Sequence, residues 1–259
     1  EYMERRKFLK TLIATGLATQ IPLFSRSIQA GERISEVGPL PKRPLGRTGV
    51  YLSIIGLGGM VLKGVSQDRA NKIVRDSIEA GVNYFDVAPT YGDAELKLGP
   101  ALEPYRKDVF LACKSTKRKG NEIIEEMHNS LKRLRTDYFD LYQLHALTTP
   151  EDVKVAFGPG GALEAIVKAR KEGIIRFIGF SSHSVESAME ALENYDFDTV
   201  LFPINYIMWY QGNFGQQVLE YARIKGAAVL AIKSMACTRL PRGAKRRFPN
   251  CWYRPLSSP

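Results

Sequence analysis

The chain has 259 residues, 44% of them apolar, enough for one large core in a single domain of α/β-barrel size. Its formal net charge of +10 suits an anionic partner such as a charged cofactor, but the basic residues are spread along the chain and no nucleic-acid-binding module is visible, so nucleic acid is set aside. Three cysteines, Cys113, Cys237 and Cys251, lack the paired short spacing of zinc, iron–sulfur or redox-dithiol sites.

Residues 1–30 do not read as part of a fold. Arg5 and Arg6 lead a charged start, and an apolar run from Leu12 to Leu23 follows, diluted by Gly, Thr and Gln. That run is too short and too weak for a stable transmembrane span. With small residues near Ala30 it reads as an export signal, and RRKFLK resembles a twin-arginine signal. The expected partner is then the twin-arginine export machinery, and the expected location is the periplasm. Glu4 departs from the Ser or Thr usual in that motif, and a basic amphipathic helix is the competing reading. Residues 31–43, with Pro39 and Pro41, read as a linker. Residues 44–238 read as the barrel domain and 239–259 as a basic, loop-like tail.

From Pro44 to Val50 the sequence predicts a turn or small hairpin able to plug one end of a barrel. Leu52 to Leu57 is the expected first strand, running into Gly58, Gly59 and Met60, where missing side chains let backbone approach a ligand. Ser66 caps an expected helix with an Ile73, Val74, Ile78 stripe, stopped by Gly81. Strands are expected at Val82–Asp86, Asp108–Lys114, Phe139–His145, Ile174–Phe180, Thr199–Ile204 and Ala227–Ile232. Helices fall near Ala94–Leu102, along the Ile123–Leu134 stripe, and at Ala162–Lys171, Val185–Leu192 and Gln216–Ile224. The order helix, glycine, apolar strand recurs at Gly81, Gly173 and Gly226. Alternating helices and doubly buried strands imply a parallel sheet. GLGGMVLKG does not fit the dinucleotide fingerprint of an open doubly wound sheet, so a (β/α)₈ TIM barrel is favoured.

In such a barrel the active site forms at the C-terminal strand ends. Asp86, Lys114 and His145 each stand at one of those ends, and Tyr91 stands in the loop just past Asp86. Each alone has a bland explanation: a turn cap, a rim aromatic, a solvated amine, a satisfied core imidazole. Their joint placement on successive strands is what marks a site. His128 and His183 read as structural.

The stretches GVNYFDVAPTYG, VFLACKS, SLKRLRTDYFDLYQLH and IIRFIGFSSHS together resemble the aldo-keto reductases, over roughly Pro44 to Met235. The resemblance implies an NAD(P)H-dependent reduction of an aldehyde or ketone, with NADPH expected ahead of NADH. It implies catalytic roles for Asp86, Tyr91, Lys114 and His145. A carbonyl reduction needs a proton donor, and a phenol of ordinary pKa about 10 is weak alone. Lys114, held by Asp86, is expected to lower the pKa of Tyr91. His145 is expected to orient the substrate oxygen or relay the proton. By the same resemblance Ser181 and Asn205 would hold the nicotinamide carboxamide, with Gly59, Met60, Asp86 and Lys233 also at the cofactor. Ser182 stands where many members have Asn, and Ser182 and Ser184 compete as helix caps. Trp209, Tyr210 and Met60 are candidate substrate-pocket walls.

The resemblance also predicts another helix, an eighth strand and a last helix that the sequence after Lys233 does not supply. The tail, with Pro241, Gly243, Pro249 and Pro255, reads as loop, so the expectation is a truncated portion of a longer protein. Cys237 and Cys251 allow a disulfide without requiring one. A non-catalytic cofactor-binding subunit of a larger assembly is the competing function, and the intact set of four polar residues favours the enzyme.

Overall fold

The computed structural model describes residues 40–210 and 214–234. Seven parallel strands form one sheet in the order β3-β4-β5-β6-β7-β8-β9, each joined to the next by chain that passes over one face. These strands are β3 (Leu57–Gly58), β4 (Tyr84–Asp86), β5 (Phe110–Ser115), β6 (Phe139–Leu147), β7 (Ile175–Ser182), β8 (Thr199–Pro203) and β9 (Ala228–Ile232). This is the sequential parallel order of a (β/α)₈-type barrel, as the sequence predicts. Among the described residues, β3 and β9 are its edges.

The connecting helices are α1 (Gln67–Glu79), α2 (Ala94–Leu102), α3 (Gly120–Leu134), α4 (Pro150–Phe157), α5 (Ala162–Lys171), α6 (Val185–Asn194), the short α7 (Tyr206–Tyr210) and α8 (Gln216–Ile224). The Ser66 hydroxyl caps α1 by accepting from the Arg69 amide at 3.3 Å. Gly81, Gly173 and Gly226 take φ of 93°, 79° and 72°, the left-handed turn that ends a helix before its strand and that only glycine adopts without strain.

Side-chain alternation along the strands separates two cores. Phe85, Leu111, Cys113, Tyr142 and Leu144 face outward and pack with helix residues such as Val74, Leu98, Ile123 and Met127. Tyr84, Phe110, Ala112, Leu141 and Ala228 form the second core with Leu45 and Leu52. Those last two residues belong to an antiparallel hairpin of β1 (Lys42–Pro44) and β2 (Tyr51–Ser53). The hairpin therefore plugs the N-terminal end of the barrel, and its first arm includes Lys42 and Arg43, read from sequence as linker.

Three expectations change. Leu52–Leu57 is not one strand: it splits into hairpin arm β2 and barrel strand β3. The Ser53 amide donates to Asn83 Oδ1 at 2.7 Å, and Gly56 lies against the Tyr84 ring, where a β-carbon would stand 2.2 Å from Cδ1. The chain cannot run straight through that corner. The stretch before Gly158, where the sequence reading places no helix, contains α4, whose Thr149 and Asp152 form a reciprocal capping box with Pro150 in the first turn. Strand β6 continues past His145 to Leu147 through a register shift between Leu144 and Leu147. The stretch 1–30 read as an export signal, the tail 239–259 and the Cys237–Cys251 pair lie outside the described residues.

Candidate active site

The alternation that builds the inner core also builds the site. On β4, Tyr84 faces inward and Asp86 stands two residues further on. On β5 the inward series is Phe110, Ala112, Lys114, and on β6 it is Leu141, Gln143, His145. Each series begins apolar near the plug and becomes polar at the C-terminal strand end. In register, Asp86 pairs with Ala112 and Lys114 with Gln143, so Lys114 starts one step above Asp86 on the next strand. The small Ala112 leaves room for its four-carbon stem to reach back.

The Lys114 side chain is fully buried, and its ammonium donates to Asp86 Oδ2 at 2.5 Å and to the Val87 carbonyl at 3.2 Å. Burial alone would push the Lys114 pKa down. The Asp86 carboxylate leads the influences that outweigh it, and the net value is raised, so the ammonium stays charged. The other Asp86 oxygen accepts from the Gln143 amide nitrogen at 3.3 Å.

Tyr91 closes a short turn, Pro89–Tyr91, whose Tyr91 amide donates to the Ala88 carbonyl at 3.0 Å. The turn lays the ring across the site. Lys114 Nζ lies 4.9 Å from its centroid, and the His145 ring meets it edge-on with centroids 6.1 Å apart. The expected lowering of the phenol's pKa needs correction. Burial raises it, the Lys114 ammonium opposes that and is outweighed, and the net shift is upward. Tyr91 is therefore a protonated phenol at neutral pH.

His145 is pushed down to about 3, first by burial and then by the positive charges of Lys114, Arg118 and His183. It is a neutral imidazole, and its buried Nδ1 has no partner among the described residues. The four residues singled out by sequence thus come together at one mouth.

The expected cofactor residues divide. Ser181 is buried and accepts from the Ala146 amide at 2.8 Å, keeping its own proton to donate. The Asn205 side-chain oxygen caps α7 by accepting from the Met208 amide at 3.0 Å, leaving its amide nitrogen over. Lys233, at φ 57°, is exposed and reaches His183 Nε2 at 2.7 Å, so the end of β9 comes to the end of β7. Gly59 is explained by packing: a β-carbon there would stand 2.8 Å from Val87 Cγ2, whereas Gly58 beside it faces open space. Met60 is exposed. Ser182 is consumed locally, donating toward the Leu147 and Ser184 carbonyls, and Ser184 caps α6 by accepting from the Ser187 amide at 3.2 Å.

Gln143 is the site residue that sequence reading passed over. It sits two residues before His145, on the same strand face, and a buried polar residue at that spacing was the available signal. Nothing in the described residues gathers a metal-ligating cluster.

The family model described as "Aldo/keto reductase family" matches residues 54–251. The chain is 37% identical over 155 residues to the uncharacterized oxidoreductase YqkF of Bacillus subtilis (strain 168), covering 54% of this chain and 48% of that protein. It is 32% identical over 199 residues to the aldo-keto reductase YhdN of the same organism, covering 68% of this chain and 56% of that one. The chain thus spans about half the length of these curated relatives. The holo form of aldo-keto reductase AKR11C1 from Bacillus halodurans superposes with a TM-score of 0.67 at 28% identity, over 78% of this chain and 70% of that one.

Proposed function

This chain belongs to the aldo/keto reductase family, and from that premise we propose that it reduces an aldehyde or ketone to the alcohol, with Tyr91 as proton donor. A nicotinamide cofactor held at this mouth would supply the hydride that such a reduction needs. The observation that carries the reading is the fully buried Lys114 ammonium, paired with Asp86 at 2.5 Å and lying 4.9 Å from the Tyr91 ring centroid.

The division of labour follows from charge. As negative charge builds on the substrate oxygen, the protonated Tyr91 hydroxyl donates to it. The phenolate left behind is held by the Lys114 ammonium, whose charge Asp86 secures. Neutral His145 carries one ring proton and donates a hydrogen bond to the same oxygen, orienting the carbonyl without adding a second full charge to the site. Gln143 keeps Asp86 turned toward Lys114.

Ser181 and the spare amide nitrogen of Asn205 fit the carboxamide of the cofactor. Exposed Lys233 fits its pyrophosphate, and the open space at Gly58 fits close approach of backbone. NADPH is proposed ahead of NADH on the family resemblance, and titration with each cofactor decides between them. Arg5, Arg6 and the apolar run after them support export in the folded state through the twin-arginine machinery to the periplasm. A fusion of residues 1–43 to a reporter active only after export tests that.

The enzyme reading is tested by fluorescence titration with NADPH and NADH, followed by cofactor oxidation in the presence of a panel of aldehydes and ketones. Saturable binding with carbonyl-dependent oxidation is expected. Tight binding with no turnover on any carbonyl would support a cofactor-binding subunit instead, and no binding would contradict both.

A further inference from the structure

We propose that Arg118 is the positioning residue for His145, acting through the left-handed kink at Ala146. The inference rests on the reductase reading for the role of His145, but its geometry stands apart from that reading. Strand β6 does not run smoothly into its C-terminal end. Its pairing with β7 shifts between Leu144 and Leu147, and Ala146 takes φ 55°, one of the few positive values on a non-glycine residue. A side chain at such a φ is strained, and it persists only where the surroundings fix it. Bulges of this kind re-aim a side chain beside a site.

Arg118 supplies the fixing. One terminal nitrogen, Nη2, donates to both carbonyls of the kink, His145 O at 2.9 Å and Ala146 O at 2.8 Å. Nε donates to Asp152 Oδ1 at 3.0 Å, and Nη1 to the Thr116 carbonyl at 3.0 Å. From the other side, Ser181 Oγ accepts from the Ala146 amide at 2.8 Å. The peptide is thus gripped at its carbonyls and at its N–H.

Asp152 is in turn anchored. Its second oxygen accepts from the Thr148 amide, the Thr148 hydroxyl and the Thr149 amide at 3.0, 3.0 and 3.1 Å. The planar guanidinium fork suits two adjacent carbonyls and a carboxylate at once, whereas a lysine ammonium on a longer, more flexible stem does not. A chain of contacts therefore runs from the start of α4 through Asp152 and Arg118 to the backbone of the residue whose ring meets Tyr91.

The test compares Arg118→Met and the milder Arg118→Lys, each in the wild-type chain and in a His145→Ala background. Three readouts are used: NADPH binding, turnover on a carbonyl substrate, and amide hydrogen exchange. In the wild-type background kcat/KM is expected to fall by about tenfold to a hundredfold, the scale of a group displaced by ~1 Å, with NADPH affinity little changed. In the His145→Ala background the same substitution is expected to cost nothing further. Exchange at the Ala146 amide is expected to quicken while β5 and α3 stay protected.

An equal loss in both backgrounds, or unchanged Ala146 exchange in both Arg118 variants, would overturn the proposal. If the wild-type chain turns over no carbonyl, the reductase reading fails. The exchange data then still decide whether Arg118 holds the kink.

Discussion

Two aspartates stand at opposite ends of the same sheet, Asp140 buried and Asp86 partly buried, and they are held differently. Asp140, at the N-terminal end of β6, is 2% exposed. It accepts from Arg106 Nη1 at 2.9 Å, the Leu111 amide at 3.0 Å and Arg176 Nη1 at 2.5 Å. Arg106 also donates to the Val109 and Tyr138 carbonyls and to the Thr136 hydroxyl. That end ties a strand, a loop and two guanidinium groups together around one carboxylate. At the other end Asp86 meets one lysine and one amide, and the residues around it carry loose ends: buried His145 Nδ1, Gln143 Oε1 and Tyr84 Oη have no partner among the described residues. Buried polar atoms left over are costly, and they persist where a ligand or water completes them. One end of the barrel is tied together, and the other leaves polar groups open at the candidate site.

Four outcomes test that contrast, beginning with the largest. Lys114→Met is expected to lower turnover by about 10²–10⁴-fold, the scale of a lost acid–base function, in a chain that still folds. Steady-state rates beside a denaturation curve read both quantities. Asp140→Ala is expected to reverse the balance. Stranding two guanidinium groups, one of them buried, costs about 3–5 kcal/mol of stability in urea unfolding, while kcat of the folded fraction holds. If Asp140→Ala abolished turnover without loss of stability, the two ends would not differ as described.

The third concerns pH. Because the His145 pKa is pushed down to about 3, kcat/KM for reduction should show no His145 inflection between about pH 5 and 8. The same depression makes a stability statement. The folded pKa lies below the unfolded value, so the contribution is whole above about pH 6.5 and is lost as pH falls toward 3. His145→Gln should flatten that part of the stability profile, and an unchanged acid slope would place the effect elsewhere. The smallest effect is Ser184→Ala, which removes the cap of α6 and is expected to cost about 1 kcal/mol with activity retained.

Legibility in the sequence followed the same division. The strand ends were readable because acid, lysine and histidine each closed an apolar run, and helix-ending glycines set the period. Asp140 was not singled out, since a single acid at a strand start looks like any solvated turn residue. Its burial depends on Arg106 and Arg176, about 35 positions away on either side. Helix α4 is the harder element to read: Thr149, Pro150 and Asp152 spell its start, but the glycines at 158, 160 and 161 just beyond it are loop signals. The pKa direction of Tyr91 was also beyond reach: the lysine was visible, but the degree of burial that outweighs it is a property of the packed site. Gly59 was read for openness, and its reason is the crowding of Val87.

The most direct test of the central claim is single-turnover cofactor oxidation by the wild-type chain and by Tyr91→Phe, each first shown to bind NADPH. The account predicts equal binding and equal thermal stability, with the oxidation step slowed by about a hundredfold or more in the phenylalanine variant. A variant that binds NADPH and oxidises it at the wild-type rate would remove Tyr91 as proton donor and with it the reading of this end of the barrel as the place of reaction.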